Sequence, residues 1–114
     1  MFNLDVSSTY WWPVKFSVPR ETGATHDVMT FDVEYKRLPV EAVNELIKRA
    51  ADERLSDNII AAQFVAGWKG VENKYGAPVP FSEENFKRAL ALHGLGSALV
   101  ATFFESQDQA PAKN

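Results

Sequence analysis

The chain has 114 residues, 46% hydrophobic and 24% charged, with a net charge of −3 and a pI near 5.3. That length suits one domain and buries roughly 65% of the unfolded surface, enough for a core without covalent staples. With no cysteine, disulfides and thiolate metal sites are excluded and a reducing compartment is expected. The acidic balance disfavours a dedicated nucleic-acid binder, which needs a basic face for phosphates. The doublets Lys36-Arg37, Lys48-Arg49 and Lys87-Arg88 stand among acids and read as solvated surface. Neither a basic-apolar leader nor a roughly 18-residue uncharged apolar run occurs, so a soluble, intracellular protein without a membrane partner is expected.

In chain order, residues 1–9 read as a polar, loosely held lead-in. Val14, Phe16 and Val18 then alternate with Lys15 and Ser17, which is strand period; Pro13 donates no ladder bond, so this is an edge strand or one that begins just after the proline. Residues 19–27 have loop composition. Met29, Phe31, Val33 and Tyr35 alternate with Thr30, Asp32, Glu34 and Lys36, so the two runs predict an antiparallel hairpin. Pro39 opens a helix over 39–54, with Val43, Leu46, Ile47 and Ala50 on one face. Ser56 or Asp57 caps a second helix whose Ile60, Phe64 and Trp68 share a stripe, with Gly67 and Gly70 ending it.

From Trp68 to Phe86 the chain is dense in glycine, proline and aromatics. Gly76, Pro78 and Pro80 forbid helix there, and Ser82 is a fitting N-cap with Glu83 and Glu84 in the favourable first turn. Phe81 and Phe86 have the spacing of a hydrophobic staple, so the end of the segment, at Phe81, Ser82 and Phe86, is expected to be a structural joint. The third helix runs to His93-Gly94, and a last one near 96–105 carries Leu99, Val100, Phe103 and Phe104. The predicted fold is α+β: an N-terminal antiparallel β-hairpin packed on three to four α-helices, one domain over 1–105 with a disordered polar tail over 106–114.

Chemistry is sparse. His26 falls in the hairpin loop and His93 at a helix C-terminus, positions of solvated or capping residues. Glu72-Asn73-Lys74-Tyr75-Gly76 resembles the start of a calcium loop, but Lys74 replaces an oxygen ligand and no acidic twelfth position follows. Asp52-Glu53 and Glu83-Glu84 are helical neighbours that do not converge. No catalytic residue, metal site or cofactor is expected. An aromatic surplus of three Trp, three Tyr and eight Phe remains. Trp11-Trp12 cannot both hide on one face of a thin hairpin, and an aromatic exposed on an edge strand marks a protein contact. Trp11 and Trp12, with Phe103 and Phe104, are the candidate residues for partner binding or self-association, the hairpin edge foremost.

The order Pro13-Val14, Phe16-Ser-Val-Pro19, Phe31-Asp-Val-Glu-Tyr-Lys-Arg37, then Gly67-Trp68-Lys-Gly-Val71 and Pro80-Phe-Ser82 before a helix resembles the tail assembly chaperones of long-tailed, lambda-like bacteriophages. The likeness covers residues 13–104 and departs at Trp11-Trp12 and at Lys74; it implies that the stretch is a structural joint between the second and third helices, with Trp68 and Gly70 on one side and Phe81, Ser82 and Phe86 on the other. It implies a non-enzymatic protein of the bacterial host cytoplasm that binds the helical tape measure protein and keeps it soluble. It also implies help for tail tube subunits assembling around that protein, self-association into rings or spirals, and absence from the mature virion. It further implies a longer product made by ribosomal frameshifting, for which Ala112-Lys113-Asn114 allows the codons GCA-AAA-AAC. The alternatives are a structural head–tail connector or completion protein retained in the particle, and a small-molecule-binding or regulatory domain that nothing beyond the aromatic count supports.

Overall fold

Apolar–polar alternation sets the sheet. In the computed structural model, which describes residues 1–108, β1 (Thr9–Pro19) and β2 (His26–Lys36) pair antiparallel from Thr9↔Lys36 to Pro19↔His26. Tyr10 lies opposite Tyr35, Trp12 opposite Val33, Val14 opposite Phe31 and Phe16 opposite Met29, so one face collects the apolar set. The other face carries Trp11, Pro13 and Lys15 across from Glu34, Asp32 and Thr30. The Arg20 N–H closes the turn on the Thr25 carbonyl at 2.8 Å. Residues 109–114, including the candidate slip-site end, lie outside the described residues.

α1 (Val40–Asp52) starts behind Pro39 and turns Leu46 and Val43 toward the core. α2 (Asp57–Ala62) is capped by Ser56, whose Oγ accepts the Ile59 N–H at 3.3 Å, and it is only 6 residues long. The expected helical stripe Ile60–Phe64–Trp68 therefore does not exist. Val65–Lys69 is instead a third strand, β3, antiparallel to β2, which becomes the centre of a sheet ordered β1-β2-β3. The fold class stands as α+β with a hairpin and four helices, and the sheet gains one strand.

The correction has a physical cause. Positions 60, 64 and 68 fit a helix by spacing, but a β-branched residue followed by two nearby glycines is a poor helix, and the open edge of β2 offers it a partner. A register shift at Glu34/Tyr35 puts Val65 opposite Tyr35 and Trp68 opposite Val33. Residues three apart point to opposite faces of a regular strand; this bulge lets both face the helices. Gly67 sits inside the strand rather than ending a helix, and Gly70, at φ 81°, terminates β3.

α3 (Glu83–Leu90) and α4 (Leu95–Gln107) are separated by a 104° change of direction at Gly94, whose φ is 93°. Asn58 on α2 donates to the Leu90 carbonyl at 3.0 Å and abuts Gly96, where a Cβ would collide with its side chain. Leu95, Leu99 and Phe103 of α4 are buried against the sheet. Ser106 and Gln107, expected in a disordered tail, form the last turn of α4. The Tyr10 hydroxyl lies 2.6 Å from Ser106 Oγ, which itself donates to the Phe103 carbonyl at 2.7 Å.

The core is aromatic. Phe64 and Phe103 stack at 3.8 Å and 6°, and Tyr35 packs against both, with its hydroxyl donating to the Leu99 carbonyl at 2.8 Å. Phe103, a candidate partner residue, is wholly buried and has no surface to offer. Phe103→Ala is expected to cost about 3–5 kcal/mol in urea unfolding, as a large core truncation does; an unchanged midpoint would contradict its placement. Tyr35→Phe should cost about 1 kcal/mol. Burial, and Tyr10 beside it, push the Tyr35 phenol well above its ordinary 10.0. Its contribution is thus whole below about pH 10 and falls as pH rises further, because the unfolded chain loses that proton first. The gap between wild type and Tyr35→Phe should therefore narrow from about pH 8 to about pH 11.

Candidate functional site

The joint is built on Trp68. Its Nε1 donates to the Val79 carbonyl at 2.8 Å, Phe81 meets its ring edge-on at 5.2 Å, and Phe86 stands 6.2 Å away at 69°. Phe81 and Phe86 touch at 5.3 Å, the staple expected from sequence, and Ser82 Oγ accepts the Asn85 N–H at 3.0 Å. Asn85 reaches back to the Pro80 carbonyl at 2.9 Å, so the helix start is tied on both sides. Trp68, Phe81, Ser82 and Phe86 meet at the start of α3, with Trp68 reaching them from a strand rather than a helix, while Gly70 lies against Phe31.

Between these anchors the chain closes on itself. The Val79 N–H donates to the Val71 carbonyl at 2.8 Å, and Asn73 Oδ1 accepts from Tyr75 N–H at 2.9 Å and from Ala77 N–H at 3.1 Å. The carboxamide oxygen that resembled a cation ligand thus serves its own turn. Among the described residues no three His, Cys, Asp or Glu side chains converge as metal ligands, and no single helix is long and apolar enough to cross a membrane.

The edge is different in kind. β1 leaves one side of the sheet unpaired, and Trp11 and Trp12 flank that side on opposite faces, 43% and 38% exposed. Lys69, from β3, sets its ammonium 4.1 Å above the Trp11 ring, a contact worth about 0.5–1 kcal/mol at such an exposed position. Trp12 leans edge-on to Tyr10 at 6.4 Å, and Arg37 lies 5.0 Å over the Tyr10 ring. The doublet is therefore a corner that grips from two sides, not a flat patch. Phe104 is half-buried, edge-on to Phe64 and Phe103, and contributes only its rim to the surface.

Sequence reasoning missed the roles of Tyr10 and Lys69. Tyr10 continues the even-numbered apolar alternation of β1, a signal that was available. Lys69 was placed in a helix end, so its approach to Trp11 could not be seen before β3 was known.

Trp68→Phe keeps an aromatic ring but removes the N–H donor to Val79. About 1 kcal/mol of stability should be lost, with limited proteolysis newly cutting within 71–80. Unchanged cleavage there would show that the ring alone holds the joint.

Compared with protein-family models, curated proteins and solved structures, the chain matches none.

Proposed function

We propose that the chain is a tail assembly chaperone of a long-tailed bacteriophage, acting without catalysis in the host cytoplasm. It binds the tape measure protein, keeps it soluble while tail tube subunits gather, associates with further copies of itself, and leaves before the particle matures. One observation carries the reading: the ordered residues from Gly67 to Phe86 on which the resemblance rests form a single joint about Trp68. A motif set whose members meet in space is more specific than the same letters scattered over a surface.

The Trp11–Trp12 corner is the surface assigned to the client. A tape measure protein exposes long apolar helix stripes that aggregate when bare. Tryptophans held in place by Lys69 and Tyr10 lose little freedom on contact, and aromatic anchors of this kind dominate protein interfaces. Each contact is weak, and many copies along one helix sum them.

The test is co-expression with the long helical protein encoded beside this gene in its source genome. The chain should raise the soluble fraction of that protein several-fold. A Trp11→Ala/Trp12→Ala variant with unaltered circular dichroism should lose most of the gain; equal solubility with and without the chain would contradict the proposal. Mass spectrometry of purified particles separates the chaperone from a head–tail connector, since only the connector is retained.

A further inference from the structure

Beside the tryptophan corner, a groove of about 370 Å³ lies between β1 and the last turn of α4. Tyr10, Trp11, Trp12, Arg37, Ser106 and Gln107 line it. Its neutral polar groups are spent on one another. Ser106 Oγ donates to the Phe103 carbonyl at 2.7 Å and so accepts the Tyr10 hydroxyl, which in turn accepts from Gln107 Nε2. Arg37 is the exception. Its Nε is used on the Ser7 carbonyl at 2.7 Å, but its terminal N–H groups bind no protein atom among the described residues.

The guanidinium is in position before any partner arrives. It lies 5.0 Å over the Tyr10 ring, and the Arg37 backbone N–H is fixed on the Ser8 carbonyl at 2.9 Å. A second cation, Lys69, sits over Trp11 on the other face of the sheet. Neither is ion-paired among the described residues, whose ion pairs are Arg20–Asp27 and Arg49–Glu53. Glu34, opposite Trp11, is on the face away from Tyr10 and Arg37 and accepts the Thr9 hydroxyl at 2.7 Å. A chain with a net charge of −3 thus frames its exposed indoles with cations.

We propose that this groove selects a helix carrying a carboxylate beside its apolar stripe: Arg37 takes the carboxylate while Trp11 and Trp12 hold the stripe. That the occupant is a helix rests on the client role proposed above; the demand for an acid rests on Arg37. A planar guanidinium with its outer fork free binds a carboxylate through two parallel N–H bonds, which no neutral amide offers in return. Geometry also limits where the acid stands. Tyr10 separates anchor from reader, 6.4 Å from Trp12 and 5.0 Å from the guanidinium. Helix pitch is about 5.4 Å, so the acid falls within about two turns of the residue that meets Trp12. On one helix face that means three, four or seven positions away.

Three synthetic amphipathic helical peptides test it. They share one leucine stripe and differ only in carrying Glu, Gln or Lys four and seven positions from its central leucine. Calorimetric titration of the wild-type chain at low salt should rank Glu above Gln by about threefold and above Lys by about tenfold, the scale of pairs at exposed sites. The ranking should flatten as salt approaches about 1 M. Arg37→Gln should bind the Glu and Gln peptides equally. If that variant perturbs the circular dichroism, Arg37→Lys takes its place and should show a smaller preference for Glu than wild type. Equal binding of the Glu and Gln peptides by wild type, or an undiminished preference in the Arg37 variant, would overturn the acid selection and leave the client role standing. Binding of none of the three would remove the helix as occupant as well.

Discussion

Tyr35 is the residue through which the sheet and the helices become one body. It sits on the central strand, its ring contacts Tyr10, Phe64 and Phe103, and its hydroxyl is fixed on the Leu99 carbonyl of α4. One residue further, the Lys36 N–H binds the Phe64 carbonyl at 2.8 Å, so backbone and side chain fasten the same junction. A buried phenol is costly unless its proton is used, and here it is used on the helix that closes the core. The remainder of the architecture follows. β1 and β3 pair on either side of β2, α4 lies across them, and α3 is held to α2 by the Asn58 bond to Leu90.

Local chemistry made much of this legible. The hairpin follows from uninterrupted period-2 runs, and of the two readings Pro13 allowed, an edge strand or a later start, β1 is the edge strand and runs through it. Ser56, Ser82 and the Phe81–Phe86 staple are caps whose signals lie within a few residues of the feature they specify. The failures share one cause: partners distant in sequence. Phe64 and Trp68 share a helical spacing by coincidence, and only pairing with β2 reveals β3, with a bulge that no alternation rule foretells. Phe103 and Phe104 are adjacent and equally apolar, yet Tyr35 and Phe64 bury the first and leave the second at the rim. Ser106 and Gln107 look like tail until Tyr10 supplies their hydrogen bonds.

The candidate site divides in the same way. Of the joint around Trp68, the Phe81–Phe86 staple and its Ser82 cap are read from their own residues because they are close in sequence. The Trp11–Trp12 corner was visible as an exposed doublet, but its character depends on Lys69 and Arg37 arriving from β3 and from beyond β2. A firm core with a rigid aromatic edge is suited to binding without conformational change, and the proposed client role asks for that.

The central claim is that the free edge of β1 meets the tape measure protein. Hydrogen exchange read by mass spectrometry, with and without that protein, measures it directly. The account predicts slowed exchange in the peptides spanning Tyr10–Val14, with α1 unchanged at its exposed face. Exchange that stays the same across β1, or slows only in α1, would contradict it.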